Sequence, residues 1–167
     1  MCKLILPLLE QNQHDKDCRP CSACCEVLPI AEGHLASKSK PPAAPCKWLA
    51  KGACRIHSQR FELCRRFQCT WLADHAWQQS WRPDLVGLLC LREWIDEKVP
   101  AAIVYELRDA AIDSPEAIEI LAELCRTTVS VTLIGCDGSR RRLVGTWKPQ
   151  EKQDLVTLGQ VRMKTAA

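Results

Sequence analysis

Eight of the twelve cysteines in this 167-residue chain fall within one 52-residue stretch, as Cys18, Cys21, Cys24, Cys25, Cys46, Cys54, Cys64 and Cys69. A Cys-x2-Cys turn sets two sulfurs on one side of a tight loop at a separation that suits a single metal ion. Cys18 with Cys21, and Cys21 with Cys24, make two such pairs. Cys24 and Cys25 are adjacent, and neighbouring side chains diverge in strand and helix alike, so this pair does not readily fill one tetrahedron. Two metal centres, or one cluster with bridging ligands, are expected from that adjacency. All eight cysteines are expected metal ligands, enough for two four-cysteine sites of the closed structural zinc kind. The run Cys18-x2-Cys21-x2-Cys24 also has the spacing of bacterial ferredoxins, and soft thiolates suit zinc and iron-sulfur clusters equally. Metal ions are thus the expected partners and zinc the expected cofactor, with iron or an iron-sulfur cluster as the alternative.

The remaining thiols read differently. Cys90, Cys125 and Cys136 stand in strand, helix and turn patterns outside the cluster and are expected to be buried and inert, while Cys2 is terminal. His57 makes a Cys-x2-His with Cys54, yet eight cysteines already suffice for two sites. His14, His34 and His75 lack ligand spacing and are expected at the surface or behind the ligands.

Formal charge is +3 overall, and residues 18–75 hold nine Lys or Arg against four Asp or Glu. Eight thiolates with two Zn2+ would carry a net charge of about −4, and Arg19, Lys47, Arg55, Arg65 and Arg66 each neighbour a cysteine, where they would offset it. Charge compensation is favoured over nucleic-acid binding, because basic and aromatic residues do not alternate as they do on stacking surfaces. The basic run Arg140-Arg141-Arg142 is expected on an exposed strand edge, where charge discourages aggregation. The apolar run of residues 4–9 is shorter than a secretory h-region and no other segment approaches the ~18 apolar residues of a span, so a soluble, cytoplasmic protein is expected. Cytosolic thiols are kept reduced, which favours coordination over disulfides.

Position in the chain separates four zones: an N-terminal extension at 1–17, the cysteine-cluster region at 18–75, a sheet-and-helix region at 76–147 belonging to the same domain, and a tail at 148–167. The loop at 37–45, rich in proline and lysine, is expected to be a solvated insertion between ligand-bearing segments. Residues 85–95 and 101–107, separated by a polar break, read as a hairpin. Ser114-Pro115-Glu116 opens a helix, with Ser114 as N-cap and Ile118, Leu121, Ala122 and Cys125 on its buried face. Two further strands, 128–134 and 141–144, are joined across a tight turn at Asp137-Gly138. The expected fold class is α+β: a cysteine-rich, metal-organised subdomain packed with a small antiparallel sheet and one main helix.

The segments C-R-P-C-S-A-C-C and P-C-K-W-L-A-K-G-A-C-R-I-H-S-Q-R-F-E-L-C-R-R-F-Q-C, followed by Trp81-Arg82-Pro83-Asp84 and Gly87, resemble the CxxCxxCC-type bacterial cysteine-cluster proteins described as zinc- or iron-chelating domains. The resemblance covers residues 18–135. It implies metal chelation, structural or regulatory, without an assigned reaction. His57 stands where that family has a tyrosine, which implies a packing role beside Cys54 rather than a ligand. Phe61 replaces the family's proline after Arg60. The same cluster occurs in flagellin lysine N-methylases, so a component of a protein lysine methylation system joins an iron-sulfur redox protein as the alternative function. No glycine-rich loop between strand and helix, of the kind that holds S-adenosylmethionine, can be found, and no catalytic residue can be named.

Overall fold

The cysteine half of the chain folds into very short elements, as its prolines and scarcity of long apolar runs dictate. The computed structural model describes residues 16–31, 39–95 and 98–146. Most of the N-terminal extension with Cys2 and His14, together with His34, the start of the proline-rich loop and the tail, lies outside the described residues. α1 (Ala23–Val27) carries Cys24 and Cys25. β1 (Leu49–Ala50) and β2 (Ala53–Cys54) pair antiparallel, Leu49 opposite Cys54. The two residues that join them, Lys51 and Gly52, both have positive φ, 52° and 72°, the signature of a type I′ turn that matches strand twist. α2 (Glu62–Arg66) holds Cys64, and α3 (Thr70–Ala73) begins directly after Cys69. α4 (Pro83–Val86) explains the Arg-Pro-Asp-x-x-Gly element: Pro83 takes the first helical position, Asp84 pairs with Arg82 at 2.6 Å, and Gly87 ends the helix at φ 82°.

The second half contains a four-stranded sheet in the order β3 (Leu88–Ile95), β4 (Val99–Glu106), β5 (Ser130–Ile134), β6 (Arg140–Val144). The class is α+β, as expected. The two outer pairs are antiparallel, but β4 and β5 run parallel, Ala101 beside Ser130. A parallel pair needs a crossover, and α5 (Pro115–Thr127) supplies it. Ser114 caps α5 by accepting the Ala117 N–H at 3.2 Å. Its buried face is Ala117, Ile120, Leu121 and Leu124, whereas Ile118 is 58 % exposed. The expected stripe through Ile118 and Ala122 is therefore corrected by one residue. The stripe that is buried carries the larger apolar volume, Ile120 and Leu124, against the sheet.

The core joins both halves of the chain. Val86, Leu88, Cys90, Val104, Ile120, Leu124 and Val131 pack with Trp71 and Trp77 from the end of the cysteine region. Trp71 donates its indole N–H to the Gln78 carbonyl at 2.9 Å, and Trp77 meets Trp81 edge to face. Cys90 is buried and Cys125 half-buried against this core. Cys136 is exposed, contrary to expectation, in the tight turn between β5 and β6, where its thiol donates to the Glu106 carbonyl at 3.4 Å. Arg140, Arg141 and Arg142 are exposed on β6, an edge strand. No helix among the described residues is long and apolar enough to cross a membrane.

Candidate metal centre

Cys21, Cys54 and Cys69 share one local feature: the backbone N–H of the residue two positions on, Ala23, Ile56 and Trp71, lies near enough to the sulfur to favour its thiolate. Leu72 adds a second N–H to Cys69, and Asp84 in α4 adds one to Cys21. Amides aimed at sulfur favour its anionic, metal-binding form. Burial opposes them and is the larger effect here, lifting the Cys54 and Cys69 thiols above their ordinary range and Cys21 to about 11. Without metal these three thiols keep their protons at neutral pH, although their surroundings are arranged for the thiolate.

Charge coupling links the cysteines into two sets that meet at Cys24 and Cys25. In the first, Cys24 feels Cys21 and Cys69 after its neighbour Cys25, Cys21 feels Cys69, and Cys69 feels Cys18 and is itself felt by core Cys90. Lys16 helps to close this group by donating to the carbonyls of Trp71 and Asp74 at the end of α3, at 3.0 and 2.6 Å. Cys64 feels Cys25, Cys46 and Cys54, and Cys54 feels Cys25 and Cys46. Here the Cys46 N–H donates to the Cys25 carbonyl at 2.8 Å, and the β1–β2 hairpin returns Cys54 towards Cys46. Adjacent Cys24 and Cys25 influence each other more than any other thiol does and join the two sets. Of the pair, Cys24 keeps its proton, with its pKa raised, and Cys25 is lowered to about 7, with Lys40 and Arg60 assisting.

Lys40 corrects a sequence expectation. It stands in the proline-rich loop read as solvated, yet it is only 5 % exposed. Its loop pairs with Ile30 in an antiparallel bridge, which turns the side chain inwards. The ammonium donates to the carbonyls of Leu28 and Glu26 at the C-terminal end of α1, at 2.5 and 3.4 Å. Burial pulls its pKa down, and Cys46, Cys25 and Cys24 pull it back up. Three of the five basic residues expected to compensate are engaged elsewhere: Arg65 pairs with Glu62 at 2.7 Å, exposed Arg19 with Asp17 at 2.6 Å, and Lys47 lies over the Trp48 ring. Sequence adjacency missed Lys40 because it lies six residues from the nearest cysteine, and its burial depends on the bridge to Ile30.

His57 faces Cys18, not Cys54. Its Nε2 lies 3.2 Å from Cys18 Sγ, and the Arg60 guanidinium Nη1 lies 2.8 Å from Nε2 and 3.2 Å from Sγ. Burial, then Arg60, lowers the imidazole pKa. Asp17, Cys18 and His57 offer ligand atoms within 4.8 Å of one another, the one place among the described residues where three such atoms converge so closely. Within the two cysteine groups the sulfurs are more open, and side-chain rotation must draw them together on a shared ion. A cleft of about 390 Å³, lined by Lys16, Asp17, Cys18, Arg60, Gln68, Leu72 and His75, opens beside Cys18. The donor set fits zinc or iron: soft sulfurs, amides directed at them, and a buried cation that finds its negative charge in thiols. Comparison of the chain with protein-family models, with curated proteins and with solved structures found no match.

Proposed function

We propose that this protein binds zinc or iron through two four-cysteine groups, Cys18, Cys21, Cys24 and Cys69 in the first and Cys25, Cys46, Cys54 and Cys64 in the second. The role is structural or regulatory. The observation that carries this reading is that in three separate turns, at Cys21, Cys54 and Cys69, the backbone N–H two residues on lies beside the sulfur and favours its thiolate. Buried Lys40 supports it from the other side: among the described residues no carboxylate pairs with it, and a buried cation is costly unless nearby groups are anionic. Metal would keep Cys46, Cys25 and Cys24 anionic at neutral pH. The resemblance of the cysteine order to CxxCxxCC-type chelating proteins points the same way.

When bound, the metal supplies a cross-link between segments that are remote in sequence. The chain's own residues present the sulfurs, neutralise them and keep them from water. Anaerobic purification followed by analysis for zinc, iron and acid-labile sulfide tests the reading. Two metal equivalents per chain are expected, and sulfide with iron would select a cluster over zinc. A folded, metal-free protein with eight freely titrating cluster thiols overturns it.

A further inference from the structure

The Cys-x2-His spacing from Cys54 to His57 suggests that the imidazole would serve the second group, but the fold turns it across the chain to Cys18 of the first. Arg60 Nη1 donates to both Cys18 Sγ and His57 Nε2. A guanidinium has donors and no acceptor, so both partners present lone pairs, and the imidazole proton resides on Nδ1. Two lone pairs from residues 39 positions apart thus converge on one cation. Their separation, 3.2 Å, is within a few tenths of an ångström of the S···N edge of a tetrahedron with Zn–S about 2.3 Å and Zn–N about 2.0 Å.

Resting on the metal-binding reading above, the geometry points to His57 as a ninth ligand, so that the metal of the first group is held by nitrogen and sulfur together through His57 Nε2 and Cys18 Sγ. Arg60 occupies the ion's place between them and has somewhere to go, because it lines the cleft of about 390 Å³ beside Cys18. The Asp17 carboxylate lies close by, but both of its oxygens are taken by Arg19, through the guanidinium and the backbone N–H. It therefore remains outside the ligand set. With His57 included, the first group has five donors for the four positions of a tetrahedral ion, while the second group has four. Mixed sulfur and nitrogen ligation is therefore specific to the first site.

The test uses the full-length protein loaded with Zn2+ or Co2+, labelled with 15N in its histidines. In the zinc form, the His57 Nε2 resonance should move from the position of a free imidazole to that of a metal-bound one, assigned by its loss in His57→Gln. In the cobalt form, His57→Cys should shift the ligand-field absorption to longer wavelength, because thiolate is the weaker-field donor. Full metal loading with an unshifted Nε2 and unchanged cobalt absorption overturns this inference and leaves the eight-cysteine reading standing. Failure to bind either metal overturns the reading beneath it. Sequential backbone-to-ring correlation in the unaltered chain gives a second assignment of the His57 resonance, so the nitrogen measurement decides the matter even if both variants misfold.

Discussion

Among the described residues no carboxylate pairs with buried Lys40, which instead faces Cys46, Cys25 and Cys24. Lys40→Met keeps the volume and removes the charge. The expected outcome is about a 10–100-fold loss of metal affinity, read by competition with a chelator, with little change in the stability of the metal-free protein. Cluster and non-cluster thiols should separate as clearly. Structural zinc can contribute on the order of 10 kcal/mol to folding, so Cys21→Ala should abolish or severely weaken the metal-loaded fold, whereas Cys136→Ala, at an exposed turn, should cost under about 0.5 kcal/mol. Equal thermal shifts for the two would show that Cys21 coordinates nothing. The eight cysteines were legible from spacing alone as candidate ligands, and their coordination of metal is the proposal made above. Lys40 and the orientation of His57 were not legible. Each depends on a contact between distant segments, Ile30 with Lys40 and Cys18 with His57, that no local pattern encodes.

Helix α5 and the hairpin of β3 and β4 were readable because their signals are local: a Ser-Pro start, a polar break, apolar runs. The parallel pairing of β4 with β5 was not readable. Hydrophobic pattern gives each strand its buried face but not its neighbour, and antiparallel and parallel strands share the same period of two. The ladder was also missed at β1 and β2, where two-residue strands are too short for alternation and only Lys51-Gly52 marked the turn. At the far end of β6, Gly145 passes so close to the Thr128 carbonyl that an added Cβ would overlap it, while its N–H donates to the Val129 carbonyl at 2.9 Å. Gly145→Ala must therefore push β6 away from the end of α5. A loss of about 1–3 kcal/mol is expected, measured by urea unfolding. A neutral result would mean that β6 docks more loosely than its hydrogen bonds imply.

Protonation ties the two halves together. Burial holds the Cys21 thiol at about 11, against 9.0 in a free thiol, so between those values the folded metal-free chain keeps a proton that the unfolded chain has lost. Metal-free stability should fall as pH rises through that window. With metal bound the thiolates are already deprotonated and protons compete with the ion, so stability should instead fall on acidification. Thermal melts from pH 5 to 11, with chelator and reductant or with Zn2+, should show these opposite trends, and parallel curves would argue against coordination. The placement of Trp71 adds an optical consequence. This indole is buried in the common core two residues after Cys69, and its backbone N–H lies beside the Cys69 sulfur. Zn2+ has a filled d shell and is colourless, so it leaves the emission of Trp71 intact, whereas an iron-sulfur chromophore beside Cys69 would drain it by energy transfer. Under the proposed metal binding, Trp71 emission would then report whether zinc or an iron-sulfur cluster is held.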